Sequence, residues 1–217
     1  MGKSDPHVFS KYLEILESTK RENFGKTCFL GFQGANLLVN SIPHEFSYFY
    51  DLMTNGWNIN DEVWNIEKES FDTVICTRLA YFSKDPGAFF KKCYDILKPG
   101  GILLVDWGIG DHWRFKDYKI GWVKNGGHEH AYEDDNYLWS CVWDDSFLQH
   151  PEYKKFSAWV AKHDYKDIKS AIMEEIPNVF EVQEACSLFN IRADMLALWE
   201  DLPQLYIILC CTKSDNS

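Results

Sequence analysis

The chain has 217 residues and a mass of 25.4 kDa, with 46% hydrophobic and 25% charged residues, and this composition is typical of an ordinary globular domain. Its 22 lysines and arginines oppose 33 aspartates and glutamates, so the net charge of -11 excludes whole-molecule attraction to nucleic acids or anionic lipids. No apolar run approaches the roughly 20 residues that cross a bilayer, and the N-terminus lacks the apolar segment of a signal peptide. We therefore expect a cytoplasmic protein with no membrane or nucleic-acid partner.

Seven cysteines are distributed along the chain without any CxxC pair, mostly inside apolar stretches. An odd number of cysteines in this context predicts buried, reduced thiols rather than a disulfide framework. The adjacent Cys210 and Cys211 would point to opposite faces of a strand, which disfavours a bond between them.

The first quarter of the chain predicts a helix followed by two short strands. Pro6 opens an amphipathic pattern that we expect to end near Gly25. The runs Lys26–Leu30 and Phe46–Leu52 predict strands, and a brief helix between them would end before Pro43.

The clearest signal is a strand, a helix and a second strand within residues 71–106. FDTVICTRL is an apolar, β-branched strand, and SKDP then begins a helix whose apolar positions recur every three or four residues. KPGG ends this helix with a positive charge, a breaker and a turn, and ILLVDW follows as a strand apolar enough to be buried on both faces. This order predicts a parallel crossover unit and an α/β fold.

The composition changes after the second of these strands. Residues 107–143 hold five of the nine tryptophans and show no clean helical period. We interpret about 108–177 as a cap inserted into a single domain of residues 1–217, with helical patterns at 151–163 and 168–176. The cap tryptophans form either the core of the cap or part of a ligand pocket. The end of the chain predicts strands over 179–189 and 204–213.

The stretch FDTVICTRLAYFSKDPGAFFKKCYDILKPGGILLVD resembles the class I S-adenosylmethionine-dependent methyltransferases, in particular those of type 11. In that family an FD-initiated strand, a helix begun by Asp-Pro and LKPGG before the next strand occur together. The resemblance implies a Rossmann-like three-layer sandwich with a mostly parallel sheet and an antiparallel last strand, which QLYIILCCTK would form. It also implies S-adenosylmethionine as cofactor and methyl transfer to a small-molecule acceptor.

The positions of residues at the ends of the predicted strands, together with this resemblance, indicate which residues bind the cofactor. Glycines at 31 and 34 would let the backbone approach a ligand closely. Asp51 lies 20 residues after Gly31, the spacing at which a second-strand carboxylate accepts hydrogen bonds from ribose hydroxyls. The resemblance places adenine contacts near Asn60 and Asp61. The complete predicted set is Gly31, Phe32, Gly34, Asp51, Asn60, Asp61, Thr77, Arg78 and Leu79.

One unit of the family fold must be curtailed in this chain. Only 20 residues lie between Asp51 and Asp72, which is too few for the helix, strand and helix that the family has there.

Two residues are predicted to be catalytic. Asp106 ends the last strand of the crossover unit, where it either acts directly or caps a loop. His112 follows in the sequence and would take a proton from an acceptor hydroxyl or amine, unless it is an exposed loop histidine. We interpret Cys76 as strand core, not as a nucleophile. His128 and His130 lack a third ligand motif, so we expect no metal.

The glycine loop departs from the family pattern. Phe29 stands where the family has an acid, and Gln33 and Ala35 replace later glycines. This departure leaves open a second hypothesis, a non-catalytic methyltransferase-like binding or partner subunit. A dinucleotide or nucleotide-sugar enzyme is disfavoured because the fuller glycine fingerprint is missing.

Overall fold

The computed structural model describes residues 5–31, 38–80, 83, 85–109, 185, 187–198 and 204–214, together with four two-residue strands between 114 and 140. Most of the predicted cap lies outside these ranges, including both of its helical patterns. None of the helices in the described ranges has the length and apolar character needed to cross a membrane.

Three helices and a six-stranded sheet make up the described domain. The helices are α1 (Asp5–Ser18), α2 (Leu52–Asn55) and α3 (Pro86–Ile96). The strands of the main sheet are β1 (Lys26–Leu30), β2 (Phe46–Tyr50), β3 (Phe71–Cys76), β4 (Leu97–Ile109), β9 (Phe189–Leu198) and β10 (Gln204–Lys213). Two small hairpin-like pairs join β5 (Arg114–Phe115) to β6 (Tyr118–Lys119) and β7 (Gly121–Trp122) to β8 (Trp139–Ser140).

The main sheet has the strand order β2-β1-β3-β4-β10-β9. Strands β2, β1, β3 and β4 are mutually parallel, whereas β10 runs antiparallel to both of its neighbours. This arrangement confirms the predicted α/β fold with a mostly parallel sheet and an antiparallel last strand. It also confirms β10 at the predicted residues.

The crossover unit β3-α3-β4 forms in the predicted order, but β4 is longer than predicted, since it includes the KPGG stretch predicted as a turn and continues to Ile109. Asp85 is the N-cap of α3, where its Oδ1 accepts a hydrogen bond from the backbone N–H of Ala88 at 2.9 Å, and Pro86 is the first helical residue. The helix buries its apolar face against the sheet, and β4 begins directly at Leu97. Strands β3 and β4 are parallel neighbours, as a helical crossover requires.

Helices and loops cover both faces of this sheet. One buried cluster joins α3 to the sheet, and a second joins α1 to the opposite face. Cys211 belongs to the first cluster and Cys210 to the second, so their side chains point to opposite faces as predicted. The layers are therefore helix, sheet and helix. The described residues include five cysteines, and all of them are free and buried: Cys28, Cys76, Cys93, Cys210 and Cys211.

Three predicted boundaries were wrong. Helix α1 ends at Ser18 instead of near Gly25, because the chain leaves helical geometry at Lys20, which has a left-handed φ of +58°. Strand β2 ends at Tyr50, because Asp51 is the N-cap of α2. Of the strand predicted over 179–189, residues 179–184 and 186 lie outside the described residues, 187 and 188 form a turn, and Phe189 begins β9, which is paired with β10 along its whole length.

The curtailed unit between β2 and β3 contains no strand. Residues 52–70 form α2 and then a loop whose Trp57, Ile59 and Trp64 side chains are buried. The Trp64 ring lies 4.9 Å from that of Trp57 and 6.0 Å from that of Phe89 in α3, measured between centroids. The loop therefore packs on α3, and β2 is left as an edge strand of the sheet.

A buried lysine joins the end of β10 to the end of α3. Lys213 is 3% exposed, and its Nζ donates to the carbonyl oxygens of Leu97 at 2.6 Å and Tyr94 at 3.0 Å, and to Glu69 Oε1 at 3.2 Å. Helix C-termini leave carbonyls without helical partners, and a cation there satisfies them.

We expect Lys213→Met to lower the free energy of unfolding by about 1–3 kcal/mol, because it leaves two carbonyls without this donor while keeping the apolar stem. Urea denaturation measures the change. Glu69→Gln is the control, because the Glu69 side chain is 58% exposed and its ion pair contributes under about 1 kcal/mol. Equal costs for the two variants would contradict a capping role for Lys213.

Candidate functional site

Three of the four parallel strands, β1, β2 and β3, end at the same level of the sheet, whereas β4 continues past this level to Ile109, so Asp106 lies within β4 instead of ending it as predicted. Leu30 pairs with Tyr50 on one side and with Cys76 on the other, and Cys76 pairs with Val105. The next residue of each strand therefore stands in one line along the carboxyl edge. We call these residues the strand-end row: Asp51, Gly31, Thr77 and Asp106, in sheet order. Ligands of open α/β sheets bind in the crevice beyond this edge.

Gly31 occupies a position that only glycine suits. Its φ is +80°, its backbone N–H donates to the carbonyl of Tyr50 at 2.9 Å, and it is buried. A Cβ placed there would lie 3.1 Å from Cβ of Leu79 and 3.4 Å from the carbonyl oxygen of Thr77. The turn after β1 thus lies directly against the turn after β3. Phe32 and Gly34, predicted to follow Gly31 in the site, lie outside the described residues.

We expect Gly31→Ala to lower the free energy of unfolding by about 2–4 kcal/mol, since it adds backbone strain at positive φ and displaces Leu79. Gly56→Ala is a matched control, because Gly56 has a φ of +73° with nothing within 4 Å of the added Cβ, and it carries the backbone cost alone, about 1–2 kcal/mol. Chemical denaturation compares the two. A Gly31 variant no less stable than the Gly56 variant would contradict the close approach of the two turns.

Asp51 is the N-cap of α2. Its Oδ1 accepts hydrogen bonds from the backbone N–H groups of Met53 at 2.9 Å and Thr54 at 3.3 Å, and its own N–H donates to Asn55 Oδ1 at 3.1 Å. The carboxylate is thereby oriented at the end of β2. Its hydrogen bonds with the described residues use Oδ1, which leaves Oδ2 for a ligand.

The turn after β3 places a buried hydroxyl in the row. Thr77 is 1% exposed, and its Oγ1 has no hydrogen-bond partner among the residues that the structure describes. The following residue, Arg78, has a φ of +56°, an uncommon conformation for a side chain of this size. Its backbone N–H donates to Asp106 Oδ1 at 2.9 Å, which fixes the turn. Strained backbone held by such a contact is a feature of functional sites.

Asp106 lies at the centre of a buried polar cluster. Besides accepting from Arg78, its carboxylate accepts through Oδ2 from the hydroxyl of Tyr12 in α1. The Arg78 guanidinium carbon lies 4.7 Å from the ring centroid of Tyr206 in β10. Asp106, Tyr12 and Tyr206 are each no more than 2% exposed. We call Tyr12, Arg78, Asp106 and Tyr206 the buried polar cluster.

The amphipathic pattern of α1 did not predict the hydrogen bond between Tyr12 and Asp106. A tyrosine within a buried helical face needs a partner for its hydroxyl, and this was the available signal. Burial, and then the negative charge of Asp106, raise the pKa of the Tyr12 hydroxyl well above its usual value. The hydroxyl is therefore protonated and donates.

Asn60 and Asp61 lie in the exposed loop after α2. The backbone N–H of Asn60 donates to Asn58 Oδ1 at 2.9 Å, and the N–H of Asn58 donates to Asp61 Oδ2 at 3.3 Å. Lys92 of α3 donates to the carbonyl of Asp61. These contacts hold the loop on α3, and the ring of Trp57, at the start of the loop, lies 6.3 Å from that of Tyr50 at the end of β2.

The remaining residues that the sequence analysis considered for chemistry are either buried or outside the described residues. Cys76 is fully buried, and burial, followed by the charge of Asp106, raises the pKa of its thiol well above the usual value, so it is not an activated nucleophile. His112, His128 and His130 lie outside the described residues. Within the described ranges no group of three potential ligands could hold a metal ion.

Three comparisons bear on the identity of this chain. Residues 59–105 match the model of the methyltransferase domain family. The ubiquinone biosynthesis O-methyltransferase of Bradyrhizobium sp. (strain ORS 278) is 30% identical over 69 residues, which span 29% of this chain and 27% of that protein. The match thus spans about a quarter of the curated relative.

The fold is similar to that of phosphoethanolamine N-methyltransferase 2 of Haemonchus contortus. The structure of that enzyme in complex with S-adenosyl-L-methionine aligns with 94% of this chain and 52% of its own, at 13% identity and a TM-score of 0.50. Its complex with phosphomonomethylethanolamine and S-adenosylhomocysteine gives a TM-score of 0.51 over the same shares.

The strand order, the crossover unit and the strand-end row define an α/β protein with a ligand crevice at the carboxyl edge of a Rossmann-like sheet. Residues 59–105 match the methyltransferase domain family, and the fold of the chain is similar to that of a methyltransferase bound to S-adenosyl-L-methionine.

Proposed function

We propose that this protein transfers the methyl group of S-adenosylmethionine to a small-molecule acceptor. The observation that carries the proposal is the strand-end row, in which Gly31, Asp51 and Thr77 lie side by side at the carboxyl edge. Two features of the row suit an adenosyl ligand. Gly31 carries no side chain and turns the chain at a φ of +80°, and the buried Thr77 hydroxyl has no hydrogen-bond partner within the described residues.

In this proposal each residue of the strand-end row contacts a different part of the cofactor. Gly31, with Phe32 and Gly34 after it, would hold the amino-acid end through backbone groups. Asp51, oriented by α2 through Oδ1, would accept from the ribose hydroxyls through Oδ2. Thr77 would hydrogen-bond the cofactor between them, with Arg78 and Leu79 shaping the turn.

We assign the adenine end to the loop that carries Asn60 and Asp61. Support comes from Trp57, which opens this loop and contacts the Tyr50 ring, so that the loop starts beside Asp51.

When bound, the cofactor supplies a sulfonium methyl electrophile. The chain must align the acceptor with that methyl group and remove a proton from an acceptor hydroxyl or amine. We propose His112 as the group that takes this proton, and the cap of about 108–177 as the cover of the acceptor. The small-molecule acceptor is favoured by relatives named for methylation of phosphoethanolamine and in ubiquinone biosynthesis.

Asp106 serves this reaction as a positioning residue in our proposal. Its carboxylate is enclosed by Tyr12 and by the N–H of Arg78, so it acts on the row through the turn that carries Thr77. If so, Asp106→Asn lowers kcat without moving the pH dependence of kcat/KM. A shifted pH profile would instead identify Asp106 as the proton acceptor.

Calorimetry with S-adenosylhomocysteine tests the cofactor site. We expect micromolar or tighter binding to the full chain, and at least tenfold weaker binding to Asp51→Asn, which keeps the shape of the side chain but removes its charge. Glu45→Gln is the matched control, because Glu45 precedes β2 at the opposite edge of the sheet. If no heat of binding is measured at millimolar S-adenosylhomocysteine, the proposal is wrong. Tight binding without methyl transfer to any tested acceptor would favour a binding or partner subunit.

A further inference from the structure

Within the described part of the chain, strand β2 forms one edge of the main sheet. It is terminal in the strand order, and β1 is its one neighbour among the described strands. The N–H of Gly31 donates to the carbonyl of Tyr50, so the alternation along β2 directs the backbone groups of Ser47 and Phe49 away from β1. Asn55 Nδ2 donates to the outward carbonyl of Phe49 at 2.7 Å. The N–H and C=O of Ser47 face the side on which no described strand lies.

The same edge concentrates exposed apolar side chains. Within the described residues, every large hydrophobic side chain classed as exposed falls between positions 46 and 63. Phe46 and Tyr48, on one face of β2, are 62% and 41% exposed, and Leu52 and Met53, in α2, are 58% and 81% exposed. We call these four residues the edge surface. Monomeric proteins rarely expose apolar patches of this kind without a partner.

The segment that carries the edge surface is acidic. Residues 44–69 contain six aspartates and glutamates and one lysine. Glu45 and Asp51 flank β2 directly, and Lys26 of β1, with Nζ 4.8 Å from the Tyr48 ring centroid, offsets only part of this charge. Nucleic acid and anionic lipid are repelled here. A second copy of the chain would bring the same acidic segment against itself.

We propose that the edge surface binds an extended segment of another protein, in which apolar residues alternate with lysine or arginine, as an added strand on β2. Backbone hydrogen bonds at Ser47 would hold the segment, as in other cases of strand addition. Its apolar side chains would cover Phe46 and Tyr48, and its cations would face Glu45 at the start of β2. The inference does not depend on methyl transfer, since it uses the outer side of β2 and none of the residues that we assign to the cofactor.

Two synthetic ten-residue peptides test this proposal, one alternating valine with lysine and one alternating valine with glutamate. We expect the lysine peptide to bind the full chain at least tenfold more tightly in fluorescence anisotropy, and to slow hydrogen exchange at Ser47. Ser47→Pro removes the outward N–H at an edge position where proline is tolerated, and should weaken binding at least fivefold. Ser47→Ala keeps the N–H and should bind like the original chain.

Each other outcome overturns the proposal. Equal binding of the two peptides contradicts the charge preference. Undiminished binding to Ser47→Pro and to a Phe46→Ser, Tyr48→Ser double variant, both checked for folding by circular dichroism, shows nonspecific attraction to an acidic protein. A concentration-dependent dimer in light scattering that Tyr48→Lys dissociates shows that the occupant is a second copy.

Discussion

Replacing Asp106 by alanine is expected to lower the free energy of unfolding by about 3–5 kcal/mol, the largest effect of any single substitution considered for this chain. The carboxylate is fully buried and accepts from Tyr12 in α1 and from the N–H of Arg78. Its loss leaves two buried donors unsatisfied, and it frees a turn held at positive φ. Urea denaturation at neutral pH measures the change.

Tyr12→Phe is the matched variant, since it removes one hydroxyl and keeps the ring in the core. We expect a cost of about 1.5–3 kcal/mol for this loss of a hydrogen bond to a charged group. Combining it with Asp106→Ala should cost less than the sum of the two single changes, because both remove the same contact. Additive costs, or a cost below about 1 kcal/mol for Asp106→Ala, would contradict a shared buried cluster.

Stability is expected to fall steeply as the pH rises above about 9. Burial raises the pKa of the thiols of Cys28, Cys76 and Cys93, and that of the Tyr12 hydroxyl, above their usual values of 9.0 and 10.0. Above those usual values the unfolded chain loses protons that the folded chain keeps, so the unfolded state is favoured. Each group then removes about 1.4 kcal/mol of stability per pH unit until its folded pKa is reached.

Urea unfolding between pH 8 and pH 10.5 tests this pH dependence, with Tyr12→Phe as a variant that should show a shallower decline above pH 10. Thiol labelling supplies a second measurement. In a Cys141→Ser, Cys186→Ser background, the native protein at pH 8 should resist a disulfide reagent until it unfolds, since the five remaining thiols are buried and the pKa of Cys210 is raised to about 11. Rapid labelling of the folded protein, or a stability independent of pH, would contradict these pKa shifts.

The parts of the fold that the sequence predicted are those with local signals. The Asp-Pro start of α3, the KPGG stretch after it and the apolar runs of β3, β4 and β10 each lie within a few residues of the structure that they specify. The same local signals put Gly31, Asp51 and Thr77 at strand ends and Asp106 near one, and the parallel register then brought the four residues into line.

Strand β9 shows where local signals fail. The sequence predicted no strand over 190–198, whereas the structure has one at Phe189–Leu198 that contains Arg192 and Asp194. These charges pair with each other, with Arg192 Nε 2.9 Å from an Asp194 oxygen, and so are tolerated on an exposed edge strand. Its position follows from ten residues of pairing with β10, a nonlocal contact that no periodicity reveals.

The sequence by itself determined the crossover unit, the direction of its strands and the line of residues at their carboxyl ends, because apolar periodicity, capping and turn residues act over short distances along the chain. Only the tertiary structure decided what the residues of that line contact. Tyr12 and Asp106 are 94 positions apart, and Arg78 takes its left-handed turn because the carboxylate on the neighbouring strand accepts its N–H. Hydrogen bonds of this kind depend on the three-dimensional juxtaposition of separate elements, and packing sets that juxtaposition.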